Sequence, residues 1–209
     1  MTREDIYIEE CSTKLDNTLL WLERETNIRT NHARMLSGAV QGRLLTMISR
    51  LIKPKNILEI GTFTGYSAIC LAMGLLDEGR LDAVEKNDEL ELLIREAFTM
   101  AGLSNKIHLH FGDALEIIPT LDREYDLVYI DANKREYTKY YELVIDKVPS
   151  GGYILADNVL WDGKVYQDNI KTDAQTQEIA RFNKIIKEDG RVENFILPLR
   201  DGINIIRKL

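Results

Sequence analysis

Oxygen-bearing side chains that could bind a hard divalent cation follow two apolar segments in the second half of the chain. Asp131 comes directly after Tyr125-Asp-Leu-Val-Tyr-Ile130, and Asp157 and Asn158 come directly after Gly152-Tyr-Ile-Leu-Ala156. Two carboxylates and an amide oxygen suit Mg²⁺, with Mn²⁺ or Ca²⁺ also compatible, whereas zinc prefers nitrogen and sulfur. If the two segments are neighbouring strands, these residues predict a metal site that leaves positions open for water or a chelating substrate.

Lys134 could provide proton transfer beside this site, because it lies three residues after Asp131 at the predicted start of a helix. A neighbouring cation disfavours the ammonium form, which makes Lys134 a candidate general base. A bound cation also promotes loss of a proton from a substrate hydroxyl, and a vicinal diol could bind through both oxygens. The predicted chemistry is activation of a diol hydroxyl, although a lysine considered alone is usually a solvated surface residue.

A glycine turn in the first half of the chain predicts the nucleoside-binding half of the site. A predicted strand over residues 56–60 is followed by Gly61 and Gly65 and then by a helix. Gly61 allows a tight turn beside a ligand, and Gly65 permits close packing of the helix on the strand. The middle glycine of the dinucleotide-binding pattern is missing. The turn alone is compatible with NAD, another nucleotide or S-adenosylmethionine, or with a simple tight connection.

Acidic residues end the next two predicted strands, on the same rim. Glu85 could accept hydrogen bonds from both ribose hydroxyls, or be an ordinary carboxylate at a strand end. Asp113 could recognise an adenine edge, cap the following helix, or do both.

Short apolar segments alternate with helical segments after residue 54, and this alternation would position the site residues. It predicts a parallel sheet with helices on both faces, and such sheets bind ligands at the carboxyl ends of their strands. Only Pro198-Leu-Arg-Asp-Gly202 joins the last two strands, so this pair should be antiparallel. The predicted strands span residues 56–60, 80–85, 106–111, 125–130, 152–156, 192–197 and 203–207, and the predicted helices between them span residues 65–76, 88–101, 114–121 and 134–148.

The first 53 residues are predicted to be helical, with apolar residues repeating around Leu19 and around Leu45, and Pro54 ends the second helix.

The chain has 209 residues, of which 44% are hydrophobic and 29% charged, and no apolar run is long enough to cross a bilayer. The N-terminus lacks the apolar core of a signal peptide, and Cys11 and Cys70 suggest no disulfide framework, so we expect a cytoplasmic location. The net charge of −7 favours a small-molecule substrate over nucleic acid.

With these residues in place, the sequence over about residues 30–209 resembles the cation-dependent O-methyltransferases, the group that contains catechol and caffeoyl-CoA O-methyltransferases. The resemblance is carried by Leu58-Glu-Ile-Gly-Thr-Phe-Thr-Gly-Tyr-Ser67, by residues 125–134 with Tyr137, by Ala156-Asp-Asn-Val-Leu-Trp-Asp-Gly-Lys-Val165 and by the ending Pro198–Ile206. It implies a Rossmann-like class I methyltransferase fold, an α/β fold with a seven-stranded, mostly parallel sheet and an antiparallel C-terminal strand. It also implies one domain over residues 1–209, in which residues 1–53 are a helical appendage and lid and residues 54–209 the core.

The resemblance also assigns roles to individual residues. S-adenosylmethionine would be the methyl donor, and the cation would be Mg²⁺. Lys134 would be the base, Trp161 would line the substrate pocket, and Asp131 would serve both the donor and the metal. Trp161 could equally lie in a dimer contact, since such proteins are usually homodimers and the N-terminal helices are candidates for that surface. Gly38, within the lid, stands where many relatives have proline. The donor site would comprise Ala39, Val40, Glu59, Gly61, Phe63, Ser67, Glu85, Asp113 and Asp131, and the metal ligands would be Asp131, Asp157 and Asn158.

Alternative functions remain compatible with parts of the sequence. Some bacterial relatives methylate a hydroxylated uridine in transfer RNA, and a basic entrance for RNA could comprise Arg24, Arg29, His32, Arg34 and Arg43. A non-catalytic S-adenosylmethionine-binding protein would need neither the three metal ligands nor the lysine. A dehydrogenase is disfavoured by the missing glycine and by the lack of a separate substrate domain. The expected function is therefore metal-dependent methylation of a catechol-like or caffeoyl-type hydroxyl.

Overall fold

The computed structural model describes residues 2–167 and 173–209, and strands alternate with helices after an N-terminal helical part. Short 3-10 turns precede or follow several helices and include Ala33–Met35 and Lys134–Glu136. The helices are α1 (Arg3–Cys11), α2 (Asn17–Arg29), α3 (Gly38–Ile52), α4 (Tyr66–Ala72), α5 (Glu91–Met100), α6 (Ala114–Thr120), α7 (Tyr137–Val144) and α8 (Ala174–Glu188). The strands are β1 (Asn56–Ile60), β2 (Arg80–Glu85), β3 (Ile107–Phe111), β4 (Leu127–Ile130), β5 (Tyr153–Asp157), β6 (Val192–Leu197) and β7 (Ile203–Lys208).

Within the described residues, seven strands form one sheet in the order β3-β2-β1-β4-β5-β7-β6. Strands β1 to β5 run parallel to one another, and β7 is antiparallel to both β5 and β6. The predicted fold class and the antiparallel terminal pair are confirmed. The register aligns Glu59 on β1 with Tyr129 on β4, and Tyr129 with Leu155 on β5. The residues that follow β1, β4 and β5 therefore come together at one edge of the sheet.

The central strands are mostly apolar because helices cover both faces of the sheet. All four residues of β4 are buried. Alternate strand residues contribute to two separate cores, so that Ile57 packs with residues of α2 to α5 while Leu58 packs with residues of α6 to α8. Leu22 of α2 and Leu45 of α3 belong to the same core as Ile57, which means that the N-terminal helices are packed onto the sheet.

The predicted element positions hold with small shifts at their ends, and one helix was missed. Helix α3 ends at Ile52 and is followed by its C-cap Lys53, whose backbone is left-handed (φ 53°), directly before Pro54. The helix predicted over residues 134–148 is divided into a 3-10 turn, α7 and a second 3-10 turn, Ile145–Lys147. Helix α8 was not predicted. It is capped by Asp173, whose carboxylate accepts a hydrogen bond from the Gln175 N–H.

Among the described helices, none is both long and apolar enough to traverse a bilayer. Large apolar side chains are nevertheless exposed on the N-terminal helices, namely Leu20, Ile28, Met47 and Leu51.

Candidate active site

A cavity of about 810 Å³ opens at the carboxyl ends of β1, β2, β4 and β5. This is the position at which open α/β sheets bind their ligands. The walls come from the two halves of the site that were predicted separately, the glycine turn and the proposed metal ligands. The predicted site residues that line the cavity are Gly61, Phe63, Ser67, Glu85, Asp113, Asp131, Lys134, Asp157, Asn158 and Trp161.

The turn after β1 depends on a glycine at position 61. Gly61 has φ +91°, and a Cβ added there would lie 2.1 Å from the backbone oxygen of Asp131. The turn and the segment after β4 therefore approach each other more closely than any side chain at position 61 would allow. Two residues further on, the Phe63 N–H donates to Glu85 Oε2 over 2.6 Å, and the Asn87 N–H donates to Glu85 Oε1 over 2.8 Å. Both oxygens of Glu85 are thus fixed by backbone amides on the cavity wall.

Glu59 lies behind this turn and does not line the cavity. Its side chain is fully buried, and Oε2 accepts a hydrogen bond of 2.8 Å from the Thr62 hydroxyl. Oε1 has no hydrogen-bond partner within the described part of the chain. Burial raises the pKa of Glu59 to about 7, because an ionised carboxylate is poorly solvated there. Glu59 therefore supports the turn from behind rather than forming part of the wall.

The helix cap expected at Asp113 is present, and the recognition of an adenine edge remains a prediction. The Asp113 carboxylate accepts a hydrogen bond from the Leu115 N–H, which caps α6, and it also lines the cavity. Lys86 donates to the other carboxylate oxygen over 2.9 Å. This hydrogen bond, together with the one from Leu115, holds the pKa of Asp113 below its usual value.

The lid before β1 differs from its predicted arrangement. Ala39 and Val40 do not line the cavity, and Val40 is 43% exposed. Leu36 and Ser37 line it instead, because the chain crosses the cavity before α3 begins and the first turn of α3 has already left it. Gly38 has φ +75°, a backbone conformation that proline cannot adopt.

After β4, the 3-10 turn Lys134–Glu136 places the Lys134 side chain against Asp131. Lys134 Nζ lies 2.7 Å from Asp131 Oδ1 and donates to Tyr137 Oη over 2.8 Å. Tyr137 in turn donates to the backbone oxygen of Asp157 over 2.8 Å. Burial, and after it the charge of Asp131, raises the pKa of Tyr137 well above its ordinary value, so this phenol stays protonated. Tyr137 therefore connects the ends of β4 and β5.

Asp157 is buried and its carboxylate is fixed by several donors. Oδ2 accepts hydrogen bonds from Gln41 Nε2 at 2.6 Å and from Tyr129 Oη at 3.0 Å, and Oδ1 accepts one from the Asn158 N–H at 2.8 Å. Burial, and after it the negative charge of Asp131, raises the pKa of Asp157 to about 6. Neither Gln41 nor Tyr129 was predicted to be part of the site. Tyr129 could have been inferred, since it lies two residues before Asp131 on the same face of β4.

The loop after β5 has an unusual backbone. Asn158, Trp161 and Asp162 all have φ between 48° and 58°, a region that non-glycine residues seldom occupy. The turn between β6 and β7 holds this loop, because Leu160 N–H donates to the Asp201 carbonyl and Asp162 N–H donates to Asp201 Oδ1. Trp161 lines the cavity, with Lys164 Nζ 5.5 Å from the centre of its ring.

The comparisons with known proteins agree with this geometry. A sequence profile described as O-methyltransferase matches residues 9–209. Caffeoyl-CoA O-methyltransferase 1 of Nicotiana tabacum is 35% identical over 189 residues, which cover 84% of this chain and 78% of that protein. The O-methyltransferase TomG from Streptomyces achromogenes, in complex with S-adenosylmethionine, superimposes with a TM-score of 0.92 at 29% identity and covers 100% of this chain and 99% of TomG. An O-methyltransferase from Bacillus cereus, in complex with S-adenosylhomocysteine, gives a TM-score of 0.89 at 28% identity, covering 100% and 98% of the two chains.

The sheet order and the cavity at its carboxyl edge define a class I methyltransferase that uses S-adenosylmethionine as methyl donor. The chain belongs to the O-methyltransferase family. The predicted family, enzyme class and methyl donor are confirmed.

Proposed function

We propose that this enzyme methylates a hydroxyl group of a catechol-like or caffeoyl-type small molecule and requires a divalent cation, with Mg²⁺ the expected metal. The observation that carries the proposal is that Asp131, Lys134, Asp157 and Asn158 line the cavity together, next to the donor-binding turn. Methyl transfer from S-adenosylmethionine needs no hard oxygen ligands for the donor itself. Their presence beside a lysine supports a role toward the acceptor hydroxyl.

The residues fit a hard cation by their chemistry. Among residues 2–167 and 173–209, no group of three or more His, Cys, Asp or Glu side chains is arranged to hold a metal, so the proposed set depends on the amide oxygen of Asn158. The Asn158 side chain and Asp131 Oδ2 accept no hydrogen bond from other described residues and remain available as ligands. The repulsion between Asp131 and Asp157 is a second reason to expect a cation at this site, because a divalent cation between two carboxylates would relieve that repulsion.

Each residue of the wall would then have one task in the reaction. When bound, the cation would supply positive charge that stabilises a deprotonated acceptor hydroxyl. Lys134 would take the hydroxyl proton at Nζ, and Tyr137 would hold Lys134 in reach of the acceptor. Glu85 would hold the donor ribose, so that the donor methyl group faces the acceptor oxygen. The protein otherwise contributes positioning and exclusion of water.

The surface around the cavity supports a small acceptor better than transfer RNA. Two of the arginines proposed for a basic entrance are paired with carboxylates. Arg29 binds Glu25 and Glu96, and Arg43 binds Glu9 in a bidentate pair. Their charge is therefore largely compensated, and the relatives named above give the RNA alternative no support.

The test is methyl transfer from S-adenosylmethionine to catechol, caffeate and caffeoyl-CoA, each assayed with Mg²⁺ and with excess EDTA. We expect turnover with at least one acceptor and its loss on chelation. Turnover that survives EDTA would contradict the metal requirement, and donor binding without turnover on any of the acceptors would contradict the acceptor class. The homodimer remains a prediction, which light scattering of the purified chain would check.

A further inference from the structure

Arg200, in the turn between β6 and β7, fastens the lid to the rest of the site. Its Nη1 donates to the backbone oxygen of Leu36 over 2.9 Å and also to the backbone oxygen of Ser37. The same nitrogen lies 3.4 Å from Gln41 Oε1. One guanidinium thus gathers three oxygens from residues 36–41, a segment whose first two residues line the cavity.

Gln41 continues this connection from the lid to Asp157. The residue is only 1% exposed, and its Nε2 donates to Asp157 Oδ2 over 2.6 Å and to Tyr129 Oη over 2.9 Å. The amide can serve both neighbours in one orientation only, because its oxygen must face the Arg200 guanidinium and its nitrogen the carboxylate. A change in the position of the lid would therefore alter the hydrogen bond that orients Asp157.

We propose that Gln41 is a positioning residue that couples occupation of the donor site to metal binding at Asp157, and that Arg200, in the turn between β6 and β7, holds Gln41 and the lid together. The inference rests on the proposed function, since it requires both the metal site and the donor site. A donor that packs against Leu36 and Ser37 fixes the segment, which fixes Gln41 and holds the Asp157 carboxylate in its binding orientation. By linkage, the metal must strengthen donor binding by the same factor.

The coupling is measured with the full chain and two ligands. Mn²⁺ binding is titrated by electron paramagnetic resonance with and without saturating S-adenosylhomocysteine, and S-adenosylhomocysteine binding is titrated calorimetrically with and without Mn²⁺. In the unmodified protein we expect each ligand to raise the affinity of the other by about fivefold or more. Gln41→Met should weaken Mn²⁺ binding by about 10- to 100-fold and reduce the coupling to about one.

Two further variants separate the steps of the argument. Arg200→Met leaves the hydrogen bond from Gln41 to Asp157 in place, so Mn²⁺ affinity without S-adenosylhomocysteine should stay within about threefold while the coupling is lost. Gln167→Met, at an exposed position, is the matched control and should behave as the unmodified protein. If Gln41→Met does not fold, as judged by thermal unfolding, Arg200→Met alone decides on the coupling.

The outcomes distinguish this inference from the proposed function. If the unmodified protein binds no Mn²⁺ under either condition, the proposed metal requirement fails and the inference fails with it. If Mn²⁺ binds and supports turnover but binds independently of S-adenosylhomocysteine, only the inference is overturned. Undiminished coupling between Mn²⁺ and S-adenosylhomocysteine in Gln41→Met, or in Arg200→Met, would also overturn the inference and leave the proposed function intact.

Discussion

Lys134 Nζ lies 2.7 Å from Asp131 Oδ1, a contact between the residue that follows β4 and the first residue of the 3-10 turn Lys134–Glu136. A proposed base and a proposed metal ligand are therefore held together by local backbone geometry. Because the turn is fixed by Asn133, whose side chain accepts a hydrogen bond from the Arg135 N–H, Lys134 needs no long-range contact to reach the cavity.

Replacement of this lysine should affect turnover much more than donor binding. We expect Lys134→Ala to lower kcat by about 10²- to 10⁴-fold, the usual contribution of a positioned acid or base. The affinity for S-adenosylhomocysteine, measured by calorimetry, should change by less than about threefold, because Lys134 lies on the acceptor side. Lys139→Ala, at an exposed position of α7, is the control. An unchanged rate at neutral pH would rule out the general-base role.

Loss of a metal ligand should have a similarly selective effect. Asp157→Ala should abolish the turnover that depends on Mg²⁺, since both the carboxylate and its fixed orientation are removed. Donor affinity measured without metal should remain within a few-fold of the original value. Turnover is followed against Mg²⁺ concentration, with Asp77→Ala at an exposed position as the control. Full activity in Asp157→Ala would show that the metal assignment is wrong.

The buried carboxyl of Glu59 should make stability depend on pH. Its pKa in the folded protein, about 7, lies above the value of about 4.3 expected in the unfolded chain. Folding therefore favours the protonated form of Glu59. The contribution of this carboxyl to the free energy of unfolding is complete below pH 4 and is lost as pH rises through 7. Glu59→Gln should remove that loss, which amounts to about 3 kcal/mol between pH 4 and pH 8.

Urea unfolding at several pH values would measure this difference, with Glu78→Gln at an exposed position as the control. The free energy of unfolding of Glu59→Gln relative to the unmodified protein should rise with pH. A difference that does not change between pH 4 and pH 8 would mean that Glu59 titrates as it does in the unfolded chain.

A methyl group at position 61 should destabilise the protein through a steric clash. Gly61→Ala combines a positive φ with a Cβ only 2.1 Å from Asp131 O, whereas Gly102→Ala has a positive φ of 67° and no neighbour within 4 Å. We expect Gly102→Ala to cost about 1 kcal/mol and Gly61→Ala several times as much, about 3 kcal/mol or more. Chemical denaturation measures both variants. Equal losses would mean that only backbone strain matters at Gly61.

The order of elements could be predicted from the sequence because β1 to β5 are short apolar segments between longer amphipathic ones. Helix α8 was missed although its pattern is regular, with buried residues at Thr176, Ile179, Phe182 and Ile186 and a capping Asp173. The division of residues 134–148 into a helix and two 3-10 turns depends on tertiary contacts, such as the hydrogen bond from Tyr137 to the backbone oxygen of Asp157, that no periodicity contains.

The candidate site could be predicted where residues lie directly after strands, as for Asp131 and Asp157. The contact between Gln41 and Arg200 could not be predicted from the sequence. The two residues are 159 positions apart, and neither residue type by itself indicates such a contact. The donor contacts expected at Ala39 and Val40 remain a prediction, but the residues of this segment that line the cavity are Leu36 and Ser37, because α3 begins at Gly38. The first residue of a helix is set by capping and packing, and the ends of helices are therefore predicted from a sequence less accurately than their existence.

The left-handed backbone of the loop after β5 restricts how this enzyme could be adapted to a new acceptor. Asn158, Trp161 and Asp162 occupy conformations that β-branched residues strongly avoid, so few substitutions would be compatible with the loop. Other residues that line the cavity, among them His32, Arg34 and Gln175, have no positive φ and carry no such backbone demand. Directed evolution of acceptor range should accordingly find most of its viable variants at these positions, while the sequence of the loop stays unchanged.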